Sequence, residues 1–216
     1  MAVRNMKKVV KSWALKSGMA AVLIYLLHVI LGGLLWKEYS HLHEPISTLT
    51  ASGAPNRSML LWLTNLYGIS ALVFAVSFVI FESRKYNTLV LLGGISLILL
   101  HILSISYGFF PQDLPGAELS FKGRMHLLVT IFIVPVTILT PFLIGFGLKN
   151  IKGWNTFGRF SLICGLLILV FGGLTGFFFA KQLPYFGLVE RLNIGTLQIW
   201  TFIFSYKLVK SNDDKG

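Results

Sequence analysis

Six predominantly apolar stretches, at residues 18–36, 59–81, 88–110, 127–148, 160–180 and 188–206, dominate this chain. A helix rises ~1.5 Å per residue, so roughly 20 such residues cross the ~30 Å hydrocarbon core of a bilayer. The sequence is 55% hydrophobic and only 12% charged, whereas ordinary soluble domains carry about 25% charged residues. A soluble fold of this size still exposes much of its chain to water and has nowhere to hide so much apolar area. The expected fold is therefore all-α: a single transmembrane domain over 1–216, built as a polytopic bundle of six helices. The sixth stretch is the weakest, with Glu190 and Arg191 near its start. A charge at mid-bilayer costs about 3 kcal/mol, which places this pair at the interface.

Lys7, Lys8, Lys11 and Lys16 precede the first apolar stretch, as in a signal peptide. That stretch is longer than a typical apolar signal region of about 7–15 residues. It also leads into Lys37-Glu38-Tyr39 rather than a small-residue cleavage site, so a retained first span is expected. Orientation follows from the basic residues between spans. Segments 1–17, 82–87, 149–159 and 207–216 hold thirteen of the 19 Lys and Arg, and the alternate segments hold six: Lys37, Arg57, Lys122, Arg124, Lys181 and Arg191. The excess puts both termini in the cytoplasm of a multi-pass cell-membrane protein, N-in and C-in.

The net charge of +11 does not point to nucleic acid, because the basic residues lie in short groups between spans rather than on one soluble face. The single cysteine, Cys164, lies in an apolar run, which excludes an internal disulfide and fits a packing role. Ala71 and Ala75, like Gly172 and Gly176, have the small-xxx-small spacing of close helix approach, read here as packing within the chain. Pro135 and Pro141 lie inside the fourth span and favour a bend. Trp36, Trp62, Tyr107 and Tyr185 suit the aromatic belts of an interface. No linker, low-complexity tract or internal repeat is evident.

Sorting the acids and histidines by this topology gives the most informative pattern. Glu38, Glu44, Asp113, Glu118 and Glu190 fall on the outer side, and Glu82, Asp213 and Asp214 fall inside. His41, His43 and His126 lie at the outer boundary, while His28 and His101 lie within spans one and three. Three outer stretches carry the unusual residues: 41–56, 108–126 and 187–193. They share one membrane depth and would meet around an outward-facing mouth. Within the last of them, Glu190 and Asn193 share a helix face at i and i+3. The candidate ligand-binding cluster is His43, Glu44, Asn56, Asp113, Arg124, His126, Glu190, Arg191 and Asn193.

These stretches carry a pattern. Pro45 and Ser47 are followed by Gly53 and Asn56; Phe110, Pro111 and Asp113 end span three; His126 opens span four; Gly187, Glu190 and Arg191 open span six. In these features the chain resembles the family of domain of unknown function 998 and, more distantly, the six-span FRAG/DRAM/Sfk group. The resemblance covers nearly the whole chain and implies the six-span architecture. Some distant relatives are associated with lipid or GPI-anchor handling. The resemblance names no activity.

Three functions remain open on the sequence. A metal-dependent intramembrane hydrolase or transferase acting on a lipid would draw ligands from His43, Glu44, Asp113, His126 and Glu190, although no HExxH-type spacing is present. A protein that binds or handles a lipid or amphipathic small molecule would use Arg124 and Arg191 at the headgroup level. Its pathway would be lined by His28, Asn65, His101, Ser104, Thr137 and Gln198. A non-catalytic structural or accessory subunit would use the same groups as anchors, caps and interhelical bonds. The second reading is the preferred one; membrane lipids are the expected partners, and no cofactor can be named.

Overall fold

Backbone N–H and C=O groups in hydrocarbon must be satisfied within the chain, and continuous helix does this. In a computed structural model the chain forms six helices: α1 Ala2–Leu34, α2 Arg57–Phe81, α3 Thr88–Ser106, α4 Phe121–Leu148, α5 Asn155–Lys181 and α6 Phe186–Asp213. It describes residues 2–114 and 116–213, with side chains 2–5, 7 and 213 also outside the description. Pro115, Asp214 and Lys215, and the side chains of Arg4, Lys7 and Asp213, which the topology used above, therefore lie outside the described residues.

Five of the helices, α1 to α5, are long and apolar enough to cross a membrane. The α6 helix is as long as its neighbours at 28 residues, but it is less apolar and is not among the five. The expected bounds of the spans shift at several ends: α4 begins at Phe121 and α5 at Asn155, ahead of 127 and 160, and α6 runs past 206 to Asp213. The first span belongs to a helix that begins at Ala2, far ahead of residue 18. The third helix ends at Ser106, and Phe109 and Phe110 fold back in turns whose N–H groups donate to Ser106 O. Local sequence accounts for several of the ends. Asn87 caps α3 by accepting from Val90 N, Ser120 caps α4 by accepting from Gly123 N, and Gln182 ends α5 in the left-handed region at φ 48°. Neither Pro135 nor Pro141 breaks α4.

Each helix packs on its neighbours in sequence, and α6 returns against α1, so the six form a closed ring. One end of the ring carries the two termini, and the other carries the connections α1–α2, α3–α4 and α5–α6, here called the loop end. The terminal half is filled by apolar and aromatic side chains. Phe74 and Phe78 of α2, Trp154, Phe157 of α5, and Trp200 and Phe204 of α6 interlock there, with Leu15, Leu97, Ile144 and Leu148 around them. Phe157 and Phe204 stack at 5.0 Å, and Phe78 meets Phe204 edge-on at 4.8 Å. Ala71 and Ala75 are fully buried, as close packing within the chain requires. Gly176, by contrast, faces open space, so the Gly172/Gly176 pair does not form an internal contact along its length.

The terminal end is closed by charge. Glu82, only 3% exposed, accepts from Lys11 of α1 and from Lys85 at 2.8 Å, and Lys11 also donates to Asn212 of α6. One carboxylate thus ties three elements. Removing one partner of a buried pair leaves charge uncompensated, at a cost of about 3 kcal/mol. Glu82→Ala should therefore lower the melting temperature of the detergent-solubilised protein by several degrees. An unchanged melting curve would show that the cluster contributes nothing.

Candidate functional site

At the loop end the α1–α2 connection folds over the start of α6. A 310 turn, Ile46–Thr50, follows Pro45, which is extended at its N-cap. Ile46, Thr48 and Leu49 are buried beneath it. Such a short turn contributes little stability of its own, and it is held by side chains from elsewhere. The Glu190 carboxylate of α6 accepts from Ile46 N at 2.6 Å. From the α3–α4 connection, Gln112 accepts from the Ser47 hydroxyl at 2.6 Å through its side-chain oxygen and donates to Thr48 Oγ1 at 2.8 Å, while its carbonyl accepts from Ser52 N at 3.0 Å.

The Arg191 guanidinium makes the second fastening. Its Nη1 donates to the carbonyls of Glu44 and Gly187, both at 2.9 Å, and its Nη2 donates to the Tyr39 hydroxyl and contacts His41 Nδ1 at 3.1 Å. The guanidinium also lies 5.6 Å from the centre of the Tyr39 ring. Tyr39 in turn donates to Pro45 O at 3.0 Å. Burial pushes the Tyr39 phenol up to about 12 against the pull of Arg191, so it stays protonated to make that bond. Burial, with the nearby Arg191 charge, lowers His41; burial raises Glu44. Gly187 is the point of closest approach. A Cβ there would collide with the carbonyls of Glu44 and His41 and with the Arg191 fork, so the loop seats on α6 only because this residue has no side chain.

Of the nine candidate residues, the fold brings four together here. Glu44, Glu190 and Arg191 meet as described, and His43 joins them from the rim. Its carbonyl accepts from Gly187 N at 3.3 Å, its ring lies 4.8 Å from that of Tyr185, and its Nδ1 accepts from Tyr185 N at 3.4 Å. Tyr185 holds a positive φ of 68°, unusual for a bulky residue.

Asp113, in the α3–α4 connection, and His126, in the second turn of α4, sit apart. Asp113 accepts from Ser120 N at 2.8 Å and from the Ser120 hydroxyl at 2.7 Å, which positions the residue that caps α4. Gly123 leaves room for that carboxylate. His126 bonds the Phe110 carbonyl at 2.9 Å through Nδ1 and lies 4.5 Å from the Tyr107 ring. Asn56 donates to Leu35 O at 3.1 Å and joins the ends of α1 and α2. Arg124 is exposed. Asn193 faces α5 near Gly172, with its Oδ1 buried and unpartnered. The candidates therefore form a fastened joint and a separate cap rather than one ring of ligands. Among the described residues, no three His, Cys, Asp or Glu side chains converge so as to hold a metal ion.

Sequence reasoning missed Tyr39 and Gln112 as members of the joint. Both stood in view, in Lys37-Glu38-Tyr39 and Pro111-Gln112-Asp113, but neither residue type signals binding by itself. Their roles depend on a fold-back that no spacing encodes.

The Arg191 fork reaches several acceptors at once, which the point charge of a lysine cannot do. Arg191→Lys keeps the charge yet should destabilise the joint by about 2 kcal/mol. The expected result is faster proteolysis within residues 37–56 in detergent micelles, with helix content unchanged. Equal cleavage rates would mean that the fork does not hold the loop.

The family model described as "Protein of unknown function (DUF998)" matches residues 19–207, most of the chain. No curated protein and no solved structure matches it.

Proposed function

The chain belongs to the DUF998 family, and from that premise and its geometry we propose that it binds a lipid or amphipathic small molecule through a polar region at its loop end. In this reading it crosses the membrane six times, with both termini in the cytoplasm and the loop end outside. The supporting observation is the unequal filling of the bundle along its length. The terminal half has a continuous aromatic core, whereas the loop half holds two small separate clusters, Tyr39, Leu49 and Leu60 under the roof and Ala21, Tyr67 and Ala71 deeper in, with His28, His101 and Gln198 buried beside the latter. A bundle required only to be stable would gain from apolar packing at those positions, because polar side chains within a span are costly and mark pathways.

The Ile46–Thr50 turn roofs this half, and its fastenings come from α6 and the α3–α4 connection. Hydrogen bonds of this kind can be exchanged with a headgroup, so the joint serves as an entrance as well as a brace. The sixth crossing is favoured by the place of α6 between α5 and α1. Three polar residues in its middle, Gln198, Thr201 and Ser205, are buried and lower its hydropathy while facing the inside of the bundle. The distribution of Lys and Arg favours cytoplasmic termini.

Two measurements test this. In a Cys164→Ala background, Ser52→Cys should react with a membrane-impermeant maleimide on intact cells, and Lys152→Cys only after permeabilisation. The reverse pattern would overturn the orientation. Native mass spectrometry of the protein in mild detergent should detect a bound amphiphile, depleted several-fold by Glu190→Ala because the roof loses its anchor. A wild-type protein free of amphiphile, or a variant that retains it fully, would remove the basis of the binding reading.

A further inference from the structure

Beneath the roof, a belt of polar rings crosses the bundle. Tyr25 and His28 lie on α1, Tyr67 on α2, His101 on α3, and Gln198 comes in from α6. Tyr25 lies 6.2 Å from His28 and 5.1 Å from Tyr67, and Tyr67 lies 6.3 Å from His101, all between ring centres. Gln198 Nε2 donates to the Tyr67 hydroxyl at 3.0 Å. The two histidines are each 2% exposed. By helical rise they sit about 9 and about 8 Å below the ends of α1 and α3.

Tyr67 is thus satisfied, and its neighbours are not. The Tyr25 hydroxyl and both nitrogens of His28 and of His101 are buried without a hydrogen-bond partner. Five such atoms gather in one belt; elsewhere in the spans they are scattered, as at Asn193 Oδ1, and other buried groups are paired: Ser161 takes Trp200, Ser205 takes the Leu15 carbonyl and Ser96 takes Thr140. Buried polar groups are ordinarily paired, and a concentration of unpaired ones calls for a partner from outside the chain.

The donor and acceptor balance identifies that partner's chemistry. Among the described residues no hydrogen bond or ion pair joins either imidazole to a carboxylate, and an apolar bundle holds such a ring uncharged. Each neutral imidazole offers one donor and one acceptor, and a phenol offers both. The unpaired set therefore wants donors and acceptors in equal measure and no net charge. A phosphate supplies only acceptors and an ammonium only donors, but a hydroxyl supplies both. Several hydroxyls on a compact frame suit rings spaced 5.1 to 6.3 Å apart.

We propose that Tyr25, His28 and His101 form the deep end of a binding site for an uncharged polyol, a sugar or glycerol moiety carried on a lipid or free. This rests on the amphiphile-binding reading above and specifies its ligand. The unpaired atoms adjoin almost no accessible space, so the site shown is closed. A polyol enters by parting the α1 and α3 side chains, and the hydrogen bonds it supplies favour the opened form. The filled aromatic core around Phe74, Trp200 and Phe204 forms the floor.

The test uses the full chain in a polyoxyethylene detergent, which carries no sugar. Melting temperature is followed against monoglucosyl diacylglycerol, free glucose and phosphatidylcholine. The glycolipid should raise the wild-type melting temperature, and phosphatidylcholine should not. His28→Leu and His101→Leu should melt no lower than wild type without ligand, since each removes an unpaired polar ring. Both should bind the glycolipid about tenfold more weakly. Tyr25→Phe, which deletes one hydroxyl, gives the same readout if the leucine variants fail to accumulate. A response to free glucose as well supports the polyol site and assigns it to free sugars; a response to the glycolipid alone supports it and assigns it to lipids.

Stabilisation by phosphatidylcholine, equal in wild type and variants, would leave the amphiphile reading intact and overturn the polyol site. Glycolipid binding that the variants retain would also overturn it. No response to any amphiphile or to glucose would sink both.

Discussion

Hydrocarbon offers no hydrogen bonds, so most polar side chains placed within a span are answered by another part of the chain. Here those answers also determine which helices meet. The Ser161 hydroxyl accepts from Trp200 Nε1 at 2.9 Å and joins α5 to α6; Ser205 donates to Leu15 O at 2.6 Å and joins α6 to α1. Ser96 and Thr140, 2.7 Å apart, join α3 to α4. Apolar surface alone gives little preference between one helix neighbour and another in lipid, because lipid tails are as apolar as leucine. These few bonds, with the aromatic interlock of the terminal half, give the ring its order.

The same requirement explains α6. Judged on composition it is the poorest candidate for a crossing, yet it makes connections along its whole length. Glu190 and Arg191 hold the roof, Gln198 reaches Tyr67, Trp200 and Phe204 fill the core, and Ser205 bonds to α1. A helix that bonds on several sides needs polar groups on several sides, and hydropathy falls as a result. Internal contact accounts for part of the low apolarity of α6, and Lys207, Lys210 and Asn212 near its end account for more of it.

This also marks how far the sequence could be read. Five apolar helices were legible because a run of about 20 such residues has few alternatives. The long N-terminal extension of α1 was not, since Met6, Val9, Val10 and Trp13 alternate with lysines and blur the boundary. The joint was half legible. Glu190 and Arg191 stood out as charges beside an apolar run, but the groups they hold are backbone atoms of Glu44, Ile46 and Gly187. Backbone partners leave no trace in residue identity. Asp113 and His126 stood out equally and prove to bond Ser120 and Phe110 of the α3–α4 connection. A charged residue near a membrane surface thus signals that something polar must be met, without distinguishing a ligand from a turn.

The short motifs of the outer stretches take on a mechanical meaning from this. Pro45 sets the entry to the roof, Ser47 gives it a hydroxyl for Gln112, Gly187 lets it lie against α6, and Glu190 and Arg191 hold it down. Residues far apart in sequence are parts of a single fastening, so a change at one has consequences at the others. The buried histidines belong to no such motif, and within the chain their rings meet Tyr25 and Tyr67 without a hydrogen-bond partner. His126, by contrast, has its partner in the Phe110 carbonyl. On the proposed reading, ligand recognition would reside in the interior of the loop half rather than at its charged rim.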